Sequence, residues 1–253
     1  MDDVRTYMAF LQEMGISEVP GDCLSPEPDP IVEETARAMP LEPVVASTQD
    51  INPEQVIADM AKQVADCRNC TLCEGRTRAV FGEGSLTTDL MFIGEGPGYD
   101  EDQQGIPFVG KAGQLLTKII HAIQLNREDV YITNIVKCRP PRNRDPLPEE
   151  VAACWRYLEE QIRIIQPKVI CTLGRHSSQT LLNTTEGISR LRGRFHNLGG
   201  VKVMPTYHPA YLLRNPAGKR DVWQDMQRIR DYLKENSDLY ERTTFDSGAG
   251  AGN

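Results

Sequence analysis

Short apolar runs alternate with helix-like segments from residue 90 to residue 234, and this alternation limits the possible folds more than any other feature of the chain. The predicted strands are 90–94, 130–136, 168–174 and 201–207, and the predicted helices are 113–123, 149–165, 176–182 and 219–234. Strands that alternate with helices form a parallel sheet covered on both faces. The sequence therefore predicts an α/β fold, a three-layer sandwich whose mostly parallel central sheet has about four strands flanked by helices.

The two ends of the chain differ in character from this middle. Residues 1–66 contain 3 Lys/Arg and 14 Asp/Glu, a net charge of −11 in a chain whose total is −8, so the remainder carries +3. Residues 19–50 include six prolines. We predict an acidic, largely disordered extension over 1–66, with short helices at 1–15 and after Asn52, and a candidate binding segment for a protein partner. A folded domain over 67–236 and a disordered tail over 237–253 complete the predicted organisation.

Nothing in the sequence predicts a membrane partner or a secretory signal. No run approaches the ~18 apolar residues of a membrane span, and the N-terminal MDDVRTYMAF is acidic and lacks an apolar signal core. We therefore expect a cytoplasmic protein. In that compartment, the seven cysteines are expected to be thiols or metal ligands rather than disulfides.

Three cysteines form a C-x2-C-x2-C motif, and two more follow at a distance; the five are Cys67, Cys70, Cys73, Cys138 and Cys154. Four thiolates suit either zinc or an iron–sulfur cluster. The motif is similar to a ferredoxin run, but Thr77 stands where the fourth ligand of such a run is expected. The spacing leaves open which metal is bound and which two of the first three cysteines bind it. Cys23 and Cys171 are expected to be inert.

The segment GEGPGYDED at 94–102 follows the first predicted strand. It is not a dinucleotide-binding loop, because Tyr99 occupies the position of the third glycine and Glu95 would repel a pyrophosphate. We interpret the glycines as allowing the backbone to approach a flat neutral ligand. A carboxylate beside such a ligand could activate water as a general base.

Three further side chains are candidates for the site, and two of them, Asn134 and His208, lie at predicted strand ends, where ligands of parallel sheets bind. Asn134 offers a donor and an acceptor in one plane, which suits a pyrimidine edge as well as a local turn. Phe108 suits either the core or a base-stacking platform. His208 follows the last strand, and the adjacent Tyr211-Leu212-Leu213 suits either a helix core or an apolar wedge for a base stack.

Basic residues gather in three clusters, which are either solvated surface or a face that binds a polyanion. The clusters contain Lys137, Arg139, Arg142 and Arg144; Arg190, Arg192 and Arg194; and Arg214, Lys219 and Arg220. From these we select Arg139, Arg142 and Arg214, together with Leu212, as candidate DNA contacts.

The motifs GRTRAVFGEG, GEGPG, PFVGKAGQLL, YITNIVKCRPPRNR and HPAYLLR occur in one chain with the C-x2-C pair. In this combination the sequence resembles the family 4 uracil-DNA glycosylases, the iron–sulfur type of the uracil-DNA glycosylase superfamily. The resemblance covers residues 67–234 and leaves the acidic extension outside.

The resemblance implies a uracil pocket formed by Glu95, Gly96, Phe108, Asn134 and His208. In it, Phe108 would stack on the base, Asn134 would read its Watson–Crick edge, and His208 would contact the O2 side. Glu95 and His208 are the implied catalytic residues. Glu101 is the alternative water-activating carboxylate.

The same resemblance implies a [4Fe–4S] cluster bound by Cys67, Cys70, Cys138 and Cys154, which leaves Cys73 surplus. It implies a monofunctional DNA-repair hydrolase that flips uracil out of single- or double-stranded DNA and cleaves its N-glycosidic bond. The alternatives are a non-catalytic DNA-binding module stabilised by zinc and an iron–sulfur redox protein. The sequence leaves the oligomeric state open.

Overall fold

The computed structural model describes residues 52–243. The helix predicted at 1–15, the linker at 19–50 and the tail beyond residue 243 lie outside the described residues. Within them, no helix combines the length and apolar character needed to cross a membrane.

One six-stranded sheet forms the centre of the described chain, in the order β1-β3-β2-β4-β6-β5. The four inner strands are parallel to one another, and each of the two short outer strands pairs antiparallel with the inner strand beside it. The strands are β1 (Glu83–Gly84), β2 (Leu90–Gly94), β3 (Tyr131–Asn134), β4 (Val169–Leu173), β5 (His196–Leu198) and β6 (Val201–Thr206). The predicted α/β sandwich is confirmed, and the four predicted strands are the parallel ones.

Helices cover both faces of this sheet. The longer ones are α1 (Pro53–Asp66), α4 (Lys111–Ala122), α5 (Pro148–Ile165), α6 (Arg175–Leu182) and α9 (Lys219–Asn236). The shorter ones are α2 (Leu72–Gly75), α3 (Tyr99–Gln104), α7 (Ile188–Leu191), α8 (Pro209–Arg214) and α10 (Leu239–Arg242). Helix α1 begins where the sequence predicts, since Oδ1 of Asn52 accepts the Glu54 N–H at 3.0 Å and Pro53 occupies the first turn.

The core divides into a layer on each side of the sheet because every residue of β2, β3 and β4 is buried. Helices α4 and α9 pack on one face, through residues such as Ile120 and Ile229. Helix α5 packs on the other, through Leu158 and Ile162. Strands buried on both faces are continuous apolar runs, which is why the sequence identifies them readily.

The prediction that disorder begins at residue 237 is wrong for residues 237–243. There α10 packs on the domain: Leu239 is buried, and the Tyr240 hydroxyl donates to the Ile123 carbonyl at 2.9 Å. Arg242 also donates to the Thr87 carbonyl at 3.0 Å and pairs with Asp89. The sequence did not predict helix α10, because this segment is short and its contacts are to residues distant in the chain.

Candidate active site and cysteine cavity

A cleft opens at the carboxyl ends of the parallel strands and has an empty volume of about 1180 Å³, open solvent included. All five residues of the predicted pocket line it: Glu95, Gly96, Phe108, Asn134 and His208. The parallel sheet brings them together, because β2 and β3 end side by side with Gly94 in register with Asn134.

The side chains of Asn134 and Phe108 lie so close to residue 94 that only glycine fits there. A Cβ on Gly94 would lie 2.4 Å from Oδ1 of Asn134 and 2.6 Å from Cζ of Phe108. Asn134 is 1% exposed, and its Oδ1 has no hydrogen-bond partner within residues 52–243. A buried polar atom without a partner is costly. The cleft thus presents an unsatisfied acceptor beside an aromatic ring.

His208 caps helix α8, and this contact fixes its tautomer. Its Nδ1 accepts the Ala210 N–H at 3.1 Å, so the neutral ring carries its hydrogen on Nε2. Burial lowers the pKa of His208 to about 4, and the charge of Arg214 contributes to the decrease. The ring lies 5.6 Å from the Phe108 ring, centroid to centroid. His208 is therefore a neutral hydrogen-bond donor at neutral pH.

The two candidate carboxylates differ in what they contact. Burial, followed by the charge of Asp145, raises the pKa of Glu95 to about 7, while Arg175 opposes the rise. In Glu101, by contrast, Oε1 accepts the N–H groups of Val109 and Gly110, each at 2.9 Å. Glu101 thus holds the backbone after Phe108, and Glu95 has the pKa of a base that works near neutrality.

Of the candidate DNA-contacting arginines, Arg142 and Arg214 are exposed and Arg139 is half-buried. Arg139 donates to Asn143 at 2.8 Å and stacks over the exposed Tyr99 ring at 5.1 Å. Arg142 is exposed in a tight turn with a φ of 57°. Arg214 lines the cleft mouth.

The prediction that Leu212 contacts DNA is wrong. Leu212 is fully buried against the core, whereas its neighbour Leu213 is 48% exposed. The six-residue helix α8 turns the middle residue of the Tyr211-Leu212-Leu213 triplet inward. An apolar wedge at this position would therefore be formed by Leu213.

Two members of the predicted basic clusters do not lie on an open basic surface. Lys137 is completely buried, and its Nζ donates to Oγ1 of Thr133, the Asn134 carbonyl and Oε1 of Gln161 at 2.6–2.9 Å. Arg192 forms a fork to buried Asp225, with hydrogen bonds of 3.1 and 2.7 Å. Sequence charge alone cannot distinguish these internal partners from a binding face.

A second cavity is lined by five cysteines. Its empty volume is about 290 Å³, open solvent included, and the cysteines are Cys67, Cys70, Cys73, Cys138 and Cys154. Within the described residues, no three His, Cys, Asp or Glu side chains converge closely enough to hold a single metal ion. The thiols instead surround a space.

Hydrogen-bond donors point at two of these sulfur atoms. Nη1 of Arg76 lies 3.0 Å from Sγ of Cys138, and the Lys137 backbone N–H donates to Sγ of Cys154 at 3.3 Å. Burial raises the pKa of Cys138 to about 11 against the opposing effect of Arg76, and Cys154 and Cys70 add to the rise. Thiols with such pKa values release protons when they bind a metal.

The half-buried Arg127 is a site-supporting residue that no sequence pattern predicted. It donates to the carbonyls of Pro107 and Phe108 and pairs with Glu83. These partners lie 19 to 44 residues away in the chain, so no local pattern could reveal them.

Comparison with known proteins identifies relatives for most of this region. Residues 81–227 match the model of the uracil DNA glycosylase superfamily. A type-4 uracil-DNA glycosylase of Thermotoga maritima is 45% identical over 186 residues, which are 72% of this chain and 97% of that protein. One from Saccharolobus solfataricus is 44% identical over 75% of this chain and 92% of its own length. A type-5 enzyme of Pyrobaculum aerophilum is more distant, at 32% identity over 51% of this chain and 64% of its own.

Proposed function

The chain belongs to the uracil-DNA glycosylase superfamily and to its type-4 group, and on this basis we propose that it excises uracil from DNA. It is a hydrolase of base-excision repair that cleaves the N-glycosidic bond and leaves free uracil and an abasic site. The observation that carries the assignment to this cleft is the buried Oδ1 of Asn134, which lies beside the Phe108 ring and accepts no hydrogen bond from any residue that the structure describes.

Recognition of the flipped base follows from the polarity of Asn134. Its Oδ1 would accept the uracil N3–H, and its Nδ2 would donate to O4, while Phe108 stacks on the ring. Cytosine presents an acceptor at N3 and a donor at C4, so the same amide would oppose it at both atoms. The unsatisfied oxygen thereby becomes a discriminating contact.

Bond cleavage would use His208 and the backbone near Gly96. As the glycosidic bond lengthens, negative charge develops on uracil, chiefly at O2. The Nε2–H of neutral His208 would donate to that oxygen, and removal of one such donor typically costs about 2.7–4 kcal/mol of barrier. Because a ring with a pKa of about 4 is neutral before the reaction begins, His208 would supply a hydrogen bond to O2 rather than a positive charge.

Glu95 is the proposed water-activating residue, and Glu101 is assigned a supporting role instead. Glu95 lines the cleft with a pKa of about 7, whereas an oxygen of Glu101 already accepts two backbone hydrogen bonds. Ionised Glu95 would orient water toward C1′ and stabilise positive charge on the sugar.

The cysteine cavity fits a [4Fe–4S] cluster in the chemistry of its donors. Soft thiolates suit iron–sulfur clusters, and the thiols surround a space rather than a point. We assign Cys67, Cys70, Cys138 and Cys154 as ligands, with Cys73 beside them. Bound there, the cluster would supply a structural cross-link between the segment after α1, the end of β3 and helix α5.

DNA would lie across the cleft mouth, in contact with Arg139, Arg142 and Arg214, with Leu213 in place of Leu212 as the residue that enters the base stack. Single- and double-stranded DNA are both candidate substrates. A cytoplasmic location and a protein partner for the acidic extension stay predictions.

The function is tested by anaerobic incubation with a labelled single-stranded oligonucleotide that carries one uracil, followed by alkaline cleavage of abasic sites. The intact protein should release uracil and leave a thymine control uncut, and Glu95→Gln should be strongly impaired. Glu160→Gln, which removes a carboxylate from a surface ion pair with Arg163, should behave like the intact protein. Uracil-independent cleavage, or none, would contradict the proposal.

The cluster is tested separately by the iron content and visible absorbance of two serine variants. Cys138→Ser should lose both, whereas Cys73→Ser should retain both. Equal loss in the two variants would contradict the assignment of Cys73 as surplus. A colourless intact protein with bound zinc would overturn the cluster itself.

A further inference from the structure

Phe108 adopts a backbone conformation that an aromatic residue rarely takes. Its φ is 52°, in the left-handed region that favours glycine. Such a conformation persists only where the surrounding structure enforces it. Because the ring is also the proposed stacking surface, the groups that enforce this backbone determine where the base can lie.

Arg127 binds the backbone carbonyl groups of Pro107 and Phe108. Its guanidinium donates from Nη1 to the Phe108 carbonyl at 3.1 Å and from Nη2 to the Pro107 carbonyl. Its Nε donates to Oε1 of Glu83 at 2.8 Å, which fixes the guanidinium plane. A planar fork can hold two neighbouring carbonyls at once, and an ammonium group has no such geometry.

Glu101 and Gly113 hold the same segment from other directions. Oε1 of Glu101 accepts the next two backbone N–H groups, those of Val109 and Gly110. Helix α4 packs so closely that a Cβ on Gly113 would lie 1.9 Å from the Phe108 carbonyl. Four backbone groups, one on each residue from 107 to 110, are therefore held by two charged side chains.

We propose that Arg127, supported by Glu83, is a positioning residue that holds the Phe108 ring in its stacking geometry. The inference rests on the proposed function, since it assigns a role to a residue that does not itself line the cleft. Arg127 acts entirely through the backbone of residues 107 and 108.

A double-mutant cycle tests this dependence. Arg127→Met should lower kcat/KM on the uracil oligonucleotide about 10- to 100-fold, the scale expected for a small misplacement of a reacting group. In a Phe108→Ala background the same substitution should change kcat/KM by no more than about twofold, since the positioned ring is gone. Equal factors in both backgrounds would show a general structural effect and overturn the proposal.

Arg242→Met is the matched control, because Arg242 also joins a backbone carbonyl, that of Thr87, to a carboxylate, that of Asp89. It should leave kcat/KM near that of the intact protein. If Arg127→Met does not fold, Glu83→Gln replaces it in the cycle. Glu83→Gln should then lower kcat/KM by a smaller factor, and this decrease should again depend on Phe108. If Glu83→Gln leaves kcat/KM unchanged, the proposal is overturned.

A fluorine NMR measurement separates failure of this inference from failure of the proposed function. With 4-fluorophenylalanine incorporated and the Phe108 signal assigned from Phe108→Leu, Arg127→Met should shift or broaden that signal, and Arg242→Met should not. This readout needs no enzymatic activity. An unchanged Phe108 signal in Arg127→Met would overturn the positioning role even in an active glycosylase.

Discussion

Burial has opposite consequences for the two titratable side chains of the cleft. It raises the pKa of Glu95 to about 7 and lowers that of His208 to about 4. A carboxyl group loses its stable ionised form when it leaves water, and an imidazole loses its protonated form. At neutral pH the same cleft therefore holds a base that can be ionised and a donor without charge.

The pH dependence of activity should follow Glu95. We expect kcat/KM to rise with pH through about 7, because Glu95 must be ionised to act, and His208 is already neutral above about pH 4. Asp145→Asn should move this rise to lower pH, since it removes a charge that raises the pKa of Glu95. Rates measured from pH 5 to 9 test both statements, and a rise unaffected by Glu95→Gln would contradict them.

The same pKa has a consequence for stability. Because the folded pKa of Glu95 exceeds its ordinary value of 4.5, the stability of the folded state relative to Glu95→Gln is fully present below pH 4.5 and is lost as the pH rises through about 7. Thermal unfolding at pH 4.5 and pH 8 measures the effect. The unfolding temperature of Glu95→Gln should exceed that of the intact protein only at pH 8, relative to their difference at pH 4.5.

Asn134→Ala should separate activity from stability. Loss of two base-reading hydrogen bonds should cost about 2–4 kcal/mol of transition-state binding, roughly 30- to 1000-fold in kcat/KM. The folded protein loses no hydrogen bond to Oδ1, because that atom accepts none within the described residues. Urea unfolding should therefore show a smaller loss, limited to the packing of this side chain against Gly94 and Phe108. Asn197→Ala, which removes a turn contact to Gly200, should leave kcat/KM unchanged.

At the level of helices and strands, the sequence predicts what is long, buried and periodic. The four parallel strands were predicted to within a few residues of their ends, and so were helices α4, α5, α6 and α9. Strands β1 and β5 were missed because two- and three-residue edge strands have no pattern of their own. Helix α10 was missed because its contacts to Ile123, Thr87 and Asp89 are all distant in sequence.

The candidate site shows the same division. Glu95 and His208 follow strands and Asn134 ends one, so all three could be found from that position alone, but the resemblance was needed to assign their roles. The inward orientation of Leu212 depends on how α8 packs, and the grip of Arg127 on residue 108 depends on a contact between separate loops. Neither contact can be predicted from the residues that are adjacent in the sequence.

Helix α8, which carries Leu213, leads to a prediction about single- and double-stranded DNA. Leu213→Ala should reduce excision from double-stranded DNA about tenfold and have less effect on single strands, since an inserted side chain replaces stacking that a single strand lacks. Leu213 is 48% exposed, so its truncation should leave the unfolding temperature unchanged. An equal reduction on both substrates would contradict the wedge.

For the molecule as a whole, charge is divided along the chain. Residues 1–51 contain 2 Lys/Arg and 11 Asp/Glu, so their removal changes the net charge from −8 to +1. Because the negative charges of this segment repel the phosphates of DNA, the deletion should lower KM on DNA roughly tenfold at low ionic strength. The difference should vanish in high salt, where charges are screened.

The control for that deletion restores 51 residues in which each acid is replaced by its amide. This variant should behave like the deletion at low salt. If it behaves like the intact chain instead, the segment acts by bulk or by a specific contact, and the electrostatic explanation is wrong.

The close fit of Gly94, Phe108 and Asn134 exists before any DNA arrives, since a single added carbon at Gly94 would collide with both neighbours. A recess already shaped for one flat ring retains its affinity for that ring after the bond to the sugar is cut. The released base should therefore act as a competitive product inhibitor. Under multiple turnover, its departure becomes a step that can limit the rate, while the first turnover stays fast.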